Sequence, residues 1–228
     1  MSETADTRYE IKLVSNEVHL PTVRSWLQLH PAGFFVGYPP RQINNLYFDT
    51  PQLDSYSENL AGISMRRKLR LRWYGETPIN VNGILELKCK RSFQGWKVSQ
   101  KLPEPLSLSS ELTWQQLRQT LRPVLKPELK YFLDRYSWPV LLNQYQREYY
   151  LSFDRQVRIT LDFHLRAYDQ RLSTTPNLRR AILPSGKMVI EVKANREHRA
   201  LLSETLAQLP LRVGKHSKYA LAMEAVLG

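Results

Sequence analysis

Between positions 65 and 73 the chain reads M-R-R-K-L-R-L-R-W, a cation at every even position: Arg66, Lys68, Arg70 and Arg72. The odd positions carry Met65, Leu69, Leu71 and Trp73, with only Arg67 out of step. Period two is the period of a β-strand, so this segment predicts a strand with one apolar face and one face lined by positive charge. A guanidinium presents a planar fork that matches two phosphate oxygens at once. Fixed cations of this kind serve phosphoryl transfer, where positioning and charge neutralisation outweigh covalent chemistry.

The same alternation recurs. Leu85, Leu87 and Cys89 alternate with Glu86, Lys88 and Lys90; Val157, Ile159, Leu161 and Phe163 alternate with Arg158, Thr160 and Asp162. Met188, Ile190 and Val192 alternate with Lys187, Glu191 and Lys193, with Val189 on the charged side. Tyr9 and Ile11 alternate with Glu10 and Lys12, while Arg147 shares its face with Tyr145, Tyr149 and Leu151. An ordinary antiparallel strand also has one wet face. Such faces mix Ser, Thr and Gln with charges, whereas here Arg and Lys recur with a few carboxylates, which favours a shared surface facing a ligand.

The composition agrees without choosing a partner. In 228 residues, 33 Lys+Arg against 21 Asp+Glu leave a formal charge of +12, which opposes compaction unless it is dispersed or meets an anion. Nucleic acid, an acidic membrane surface and a small polyanion all remain open. The 42% hydrophobic content describes a globular chain. No apolar run approaches the ~18 residues of a membrane span. Residues 1–7 are polar and acidic rather than a secretory signal, so the expected address is the cytoplasm. One cysteine, Cys89, excludes a disulfide framework and a Cys-rich zinc site, and its alternation makes it buried and inert. His19, His30, His164, His198 and His216 share no metal-ligand spacing and read as surface residues. Gly214-Lys215 is not a P-loop, because Leu209 stands where the first glycine belongs and His216 follows the lysine.

Helices are expected over 20–27, after Thr50-Pro51 with Thr50 as N-cap, and over 109–121, 127–136, 197–209 and 217–227. Residues 30–40 and 170–187 read as loops. No linker divides the chain, so residues 1–228 form one expected domain. Strands whose apolar faces are covered by helices and whose charged faces look at one another describe a barrel with a polar lumen. Lys12, Arg66, Lys68, Arg70, Arg72, Lys88, Arg147, Arg158 and Lys193 would face Glu10, Glu86, Asp162 and Glu191 there. An empty cavity of that charge is costly; a polyanion with a divalent metal would make it stable.

These segments resemble the VTC domain of polyphosphate polymerases, among the triphosphate tunnel metalloenzymes. The resemblance is carried in order by Arg8-Tyr9-Glu10-Ile11-Lys12, Asn45-Leu46-Tyr47-Phe48-Asp49-Thr50, Lys68-Leu69-Arg70-Leu71-Arg72-Trp73-Tyr74-Gly75 and Leu85-Glu86-Leu87-Lys88. It continues through Tyr145-Gln146-Arg147, Arg158-Ile159-Thr160-Leu161-Asp162, Ile190-Glu191-Val192-Lys193 and Ser217-Lys218-Tyr219. It implies an α+β fold: an antiparallel β-tunnel of about eight strands with a basic lumen and helices packed outside. It further implies transfer of the ATP γ-phosphate to a growing inorganic polyphosphate, with Mn²⁺ or Mg²⁺.

Carried over position by position, Lys12, Arg70, Arg72, Lys88, Arg147 and Arg158 would act on the reacting phosphates. Arg66, Lys68, Lys97, Lys101, Lys193 and Lys218 would hold the rest of the chain, and Glu191, with Glu10, the metal. Residues 93–102 align loosely with the family. Glu10 and Glu191 also read as salt-bridge partners of Lys12 and Lys193, and Asp162 as an orienting partner of Arg158. Eukaryotic relatives add a phosphate-sensing domain and membrane helices; this chain shows neither, so regulation or anchoring would fall to a separate protein. A tunnel-type triphosphatase and a non-catalytic polyphosphate- or nucleic-acid-binding module are the alternatives, with duplex binding disfavoured. Arg70→Ala is expected to remove phosphate binding and spare the fold, by deleting one charge from a repulsive cluster.

Overall fold

A computed structural model describes residues 8–92, 94–184, 186–195, 198–207, 209 and 217–228. The polar start, Phe93, Glu197, and Gly214-Lys215 with His216 lie outside the described residues. Strands β1 (Arg8–Asn16), β2 (Phe35–Asp49), β3 (Met65–Tyr74), β4 (Ile84–Arg91), β5 (Gln94–Lys101), β6 (Trp138–Leu151), β7 (Val157–Asp169) and β8 (Lys187–Asn195) form one sheet in the order β1-β8-β7-β6-β2-β3-β4-β5. Every pairing with a described register is antiparallel. The helices are α1 (Leu20–Leu29), α2 (Asp54–Leu60), α3 (Trp114–Val124), α4 (Pro127–Arg135), α5 (Arg199–Ala207) and α6 (Lys218–Leu227). The fold class is therefore α+β, as the resemblance implies.

The chain divides into two compact units. The first comprises Met1–Gln42, Tyr145–Leu165 and Pro184–Ser217; the second comprises Ile43–Gln144, Arg166–Leu183 and Lys218–Gly228. In the first, β1, β8 and β7 bury Leu13, Ile190, Val192, Ile159 and Leu161 against Leu20, Val23 and Leu27 of α1. In the second, Leu69, Leu71, Leu85, Leu87 and Cys89 on one face of β3 and β4 meet Leu117 and Leu121 of α3 and Leu129 and Leu133 of α4. The helix leucines sit four apart, hence on one face of each helix. Each fully buried leucine contributes about 1.5–3 kcal/mol. Cys89 is 5% exposed and packed there. Arg67, the residue out of step in β3, lies on this side with its guanidinium 5.3 Å from the Phe132 ring of α4.

Local chemistry shifts several helix starts from where the sequence placed them. The helix expected from 109 begins at Trp114, because Thr113 and Gln116 form a reciprocal capping box. Thr50 does accept the Asp54 N–H at 3.1 Å, but α2 starts at Asp54 because buried Asp49 collects the Ser55 and Tyr56 N–H groups. Residues 35–40, expected as loop, open β2. Two prolines hid the strand, yet Phe35, Val36 and Tyr38 carry β propensity. Strand β2 packs close to β6 there: a Cβ at Gly37 would lie 2.8 Å from the Leu151 side chain.

Candidate functional site

Cations gather on one face of the sheet in each unit. In the second unit the register aligns them in rungs: Asn45, Arg72, Ile84 and Lys101; then Tyr47, Arg70, Glu86 and Ser99; then Lys68, Lys88 and Lys97. Residues opposite one another on antiparallel strands share a face with Cβ atoms about 5 Å apart, and like charges so placed repel. The lysine rung is such an arrangement. Arg66 stands one rung further, opposite Lys90. Among all residues of β3, β4 and β5, Glu86 is the only carboxylate.

Glu86 is 4% exposed and acts as the hub of this face. Arg70 donates to its Oε2 from Nε at 2.8 Å and from Nη2 at 2.7 Å. Arg72 Nη1 lies 3.7 Å away and Lys97 Nζ 3.3 Å. Burial by itself would push the Glu86 carboxyl up. The charges of Arg70 and Arg72, the Arg70 hydrogen bonds and Lys97 outweigh it and bring the group down to about 2. Arg70 also reaches the Tyr47 hydroxyl at 3.4 Å. Arg72 Nε donates to Asn45 Oδ1 at 2.9 Å, and Asn45 in turn donates to Asn143 at 2.9 Å. Both arginines are thus aimed by buried partners. Lys68 is held by Asn59 Oδ1 at 2.7 Å, with its ammonium 5.6 Å from the Tyr219 ring.

Lys218 opens α6. Its neighbour Tyr219 anchors the helix by donating to buried Asp49 at 2.6 Å. Burial and the Asp49 charge hold the Tyr219 hydroxyl well above its ordinary pKa.

In the first unit the charged rungs are Glu10, Lys193 and Arg158, then Lys12, Glu191 and Thr160. Arg147 of β6 donates to Asp162 from Nε at 2.5 Å and from Nη2 at 2.6 Å, and lies 3.7 Å from Glu191. Asp162 therefore orients Arg147, where the sequence suggested Arg158; parity alone could not rank two arginines on neighbouring strands. Burial opposes the charged form of Arg147, and the Asp162 carboxylate reverses this and raises its pKa further. For Lys12 the burial effect is likewise overcome, by Glu191 and Glu10, which raise it. Lys12 lies 2.6 Å from Glu10 and 4.0 Å from Glu191; Lys193 lies 3.2 Å from Glu10 and 3.0 Å from Glu191.

Two carboxylates thus bracket two ammonium groups. No group of three or more His, Cys, Asp or Glu side chains that could hold a metal occurs among the described residues. A hard cation such as Mg²⁺ is commonly held by one or two carboxylates plus phosphate oxygens and water, not by an all-protein cage. The oxygen donors of Glu10 and Glu191, already gathered around positive charge, fit that mode.

The charged strand faces differ in balance: that of the first unit carries the carboxylates Glu10, Asp162 and Glu191, whereas that of the second sets its row of cations around Glu86. A model of the VTC domain matches residues 7–227. The chain belongs to the VTC-domain family. No protein of curated function matches this VTC-domain sequence. Among solved structures it is similar to the PH1819 protein from Pyrococcus horikoshii OT3, at 17% identity and a TM-score of 0.51, covering 95% of this chain and 99% of that one. That likeness shows the fold alone. The Schizosaccharomyces pombe Mediator head module aligns at 13% identity and a TM-score of 0.43, over 88% of this chain and 89% of that one, and carries no argument.

In this VTC domain the register places Lys97 and Lys101 on the same face as Lys88. Tyr47, on the strand that leads into α2, touches Arg70. His30 is 7% exposed rather than on the surface, with Nδ1 accepting the Ala32 N–H at 3.0 Å between the Trp26 and Phe34 rings. The aromatic residues around it on α1 and after it were the available signal. Removing Arg70 would not spare the fold, because its charge is paired with buried Glu86. Among the described residues no helix is long and apolar enough to cross a membrane.

Proposed function

We propose that this VTC domain is a metal-dependent polyphosphate polymerase of the tunnel type, working as one functional domain over residues 1–228. It would move the γ-phosphoryl group of ATP onto the terminal phosphate oxygen of an inorganic polyphosphate. The bond from Pγ to the bridging oxygen breaks, ADP leaves, and the chain grows by one unit. The observation that supports this most is the face of β3, β4 and β5, where rows of cations surround a single carboxylate. Such a face is self-repelling until a polyanion neutralises it.

Lys12, Arg70, Arg72, Lys88, Arg147 and Arg158 would contact the reacting phosphates and offset the charge that shifts during displacement. Arg66, Lys68, Lys97, Lys101, Lys193 and Lys218 would hold the rest of the chain. Glu191 and Glu10 would hold Mn²⁺ or Mg²⁺, which when bound would supply charge neutralisation to the phosphates. No side chain need act as nucleophile. The proposed setting is the cytoplasm.

Incubation with ATP and Mn²⁺, followed by sizing of the products on a gel, tests the reading. Long phosphate chains are expected; release of orthophosphate alone would overturn it in favour of a triphosphatase. A binding consequence is independent of turnover. Tripolyphosphate at a hundredfold excess over its Kd should stabilise the native protein by ~2.7 kcal/mol, raising Tm by roughly 5–10 °C for a chain of this size. An unchanged melting curve at saturating ligand would count against a phosphate-binding face of either kind.

A further inference from the structure

Beside Arg147, the first unit carries an aromatic and guanidinium cluster that phosphate binding does not use. Tyr149 is 8% exposed, and Arg147 lies against its ring at 5.9 Å from the centroid. Arg41 donates from Nε to the Tyr149 hydroxyl at 2.9 Å and sets its guanidinium carbon 5.1 Å from the same ring. Tyr38 meets the Tyr149 ring edge-on, at 5.7 Å and 78°. The three side chains form a step from a half-buried, Asp162-held arginine to the surface, where Arg41 is exposed and Tyr38 is 55% exposed.

We infer that Tyr38 and Arg41 form a stacking platform for the base of a nucleoside triphosphate whose phosphates engage Arg147. The inference rests on the phosphate-binding reading above and adds the part of the substrate that this reading leaves unassigned. Aromatic rings and guanidinium planes are the surfaces on which unpaired bases stack. Arg41 is already laid against a ring, so its plane is pre-set. Pro39-Pro40 between the two platform residues fixes φ near −65° and limits the backbone freedom lost on binding. Residues 35–42 contain no carboxylate to repel an anionic nucleotide, and the carboxylate of Glu148 is engaged by Arg24 and Tyr150. Stacking reads the face of a base and not its hydrogen-bonding edge, so ATP and GTP should be accepted alike. A tripolyphosphate has no group to place there.

Calorimetric titration of ATP and of tripolyphosphate, each into the intact protein and its Tyr38→Ala and Tyr38→Phe variants, tests this. Tyr38→Ala should weaken ATP about tenfold, as loss of one stacking contact does, with tripolyphosphate affinity within twofold of the unaltered protein. Tyr38→Phe, which keeps the ring, should bind ATP like the unaltered protein. If Tyr38→Ala leaves ATP affinity unchanged, or weakens both ligands by the same factor, the platform is wrong while the phosphate reading stands. If the unaltered protein binds neither ligand, the phosphate reading fails and the platform with it.

Discussion

Replacing Arg70 with alanine should weaken tripolyphosphate binding at least about a hundredfold, since two charge-assisted hydrogen bonds to phosphate are worth roughly 3 kcal/mol or more together. The same change should destabilise the fold. Arg70 supplies two hydrogen bonds to Glu86, which is buried. Breaking one partner of a buried pair costs about 3–5 kcal/mol; Arg72 and Lys97 remain near the carboxylate, so the lower end is expected. The two effects can be separated. Removing both partners, Arg70→Ala with Glu86→Ala, deletes the stranded carboxylate and should recover much of the stability without recovering binding. Arg70→Lys keeps the charge but loses the fork, and should fold well yet bind weakly. Urea unfolding and phosphate titration of the three variants measure both quantities. Full tripolyphosphate affinity in Arg70→Ala would contradict the role given to this residue.

Acid should find the same hub. Glu86 titrates at about 2 in the folded protein against an ordinary value of 4.5. A depressed carboxyl pKa stabilises the native state above the unfolded value, and that contribution fades as pH falls from about 4.5 through about 2. The difference corresponds to about 3 kcal/mol. In urea unfolding at successive pH values, the unaltered protein should lose its stability relative to Glu86→Gln across this window and hold a constant difference above pH 6. Parallel curves for the two proteins down to pH 2 would show that Arg70, Arg72 and Lys97 do not hold the carboxylate as described.

Much of this face was legible in the chain itself, because strand geometry converts alternation into sidedness. The row Arg66, Lys68, Arg70, Arg72 needs only period two to be placed opposite the leucine face, and the register bears this out rung by rung. What alternation cannot supply is which strands lie side by side, and so which charge meets which. That is why Asp162 was assigned to Arg158 instead of Arg147, and why Glu86 was read as one counter-charge among several and not as the hub of three cations. The β2 start was hidden for a local reason, since Pro39-Pro40 mimics a loop while the flanking residues extend. The aromatic platform was hidden for a non-local one: Tyr38 and Arg41 meet Tyr149 across more than a hundred residues of sequence.

A crystal structure of the protein soaked with tripolyphosphate and Mn²⁺ examines the central claim most directly. Phosphate density should run along the face bearing Arg70, Arg72 and Lys88, with a manganese anomalous peak at the carboxylates of Glu191 and Glu10. Phosphate bound only at other surfaces, with these side chains unchanged and no metal beside Glu191, would contradict it.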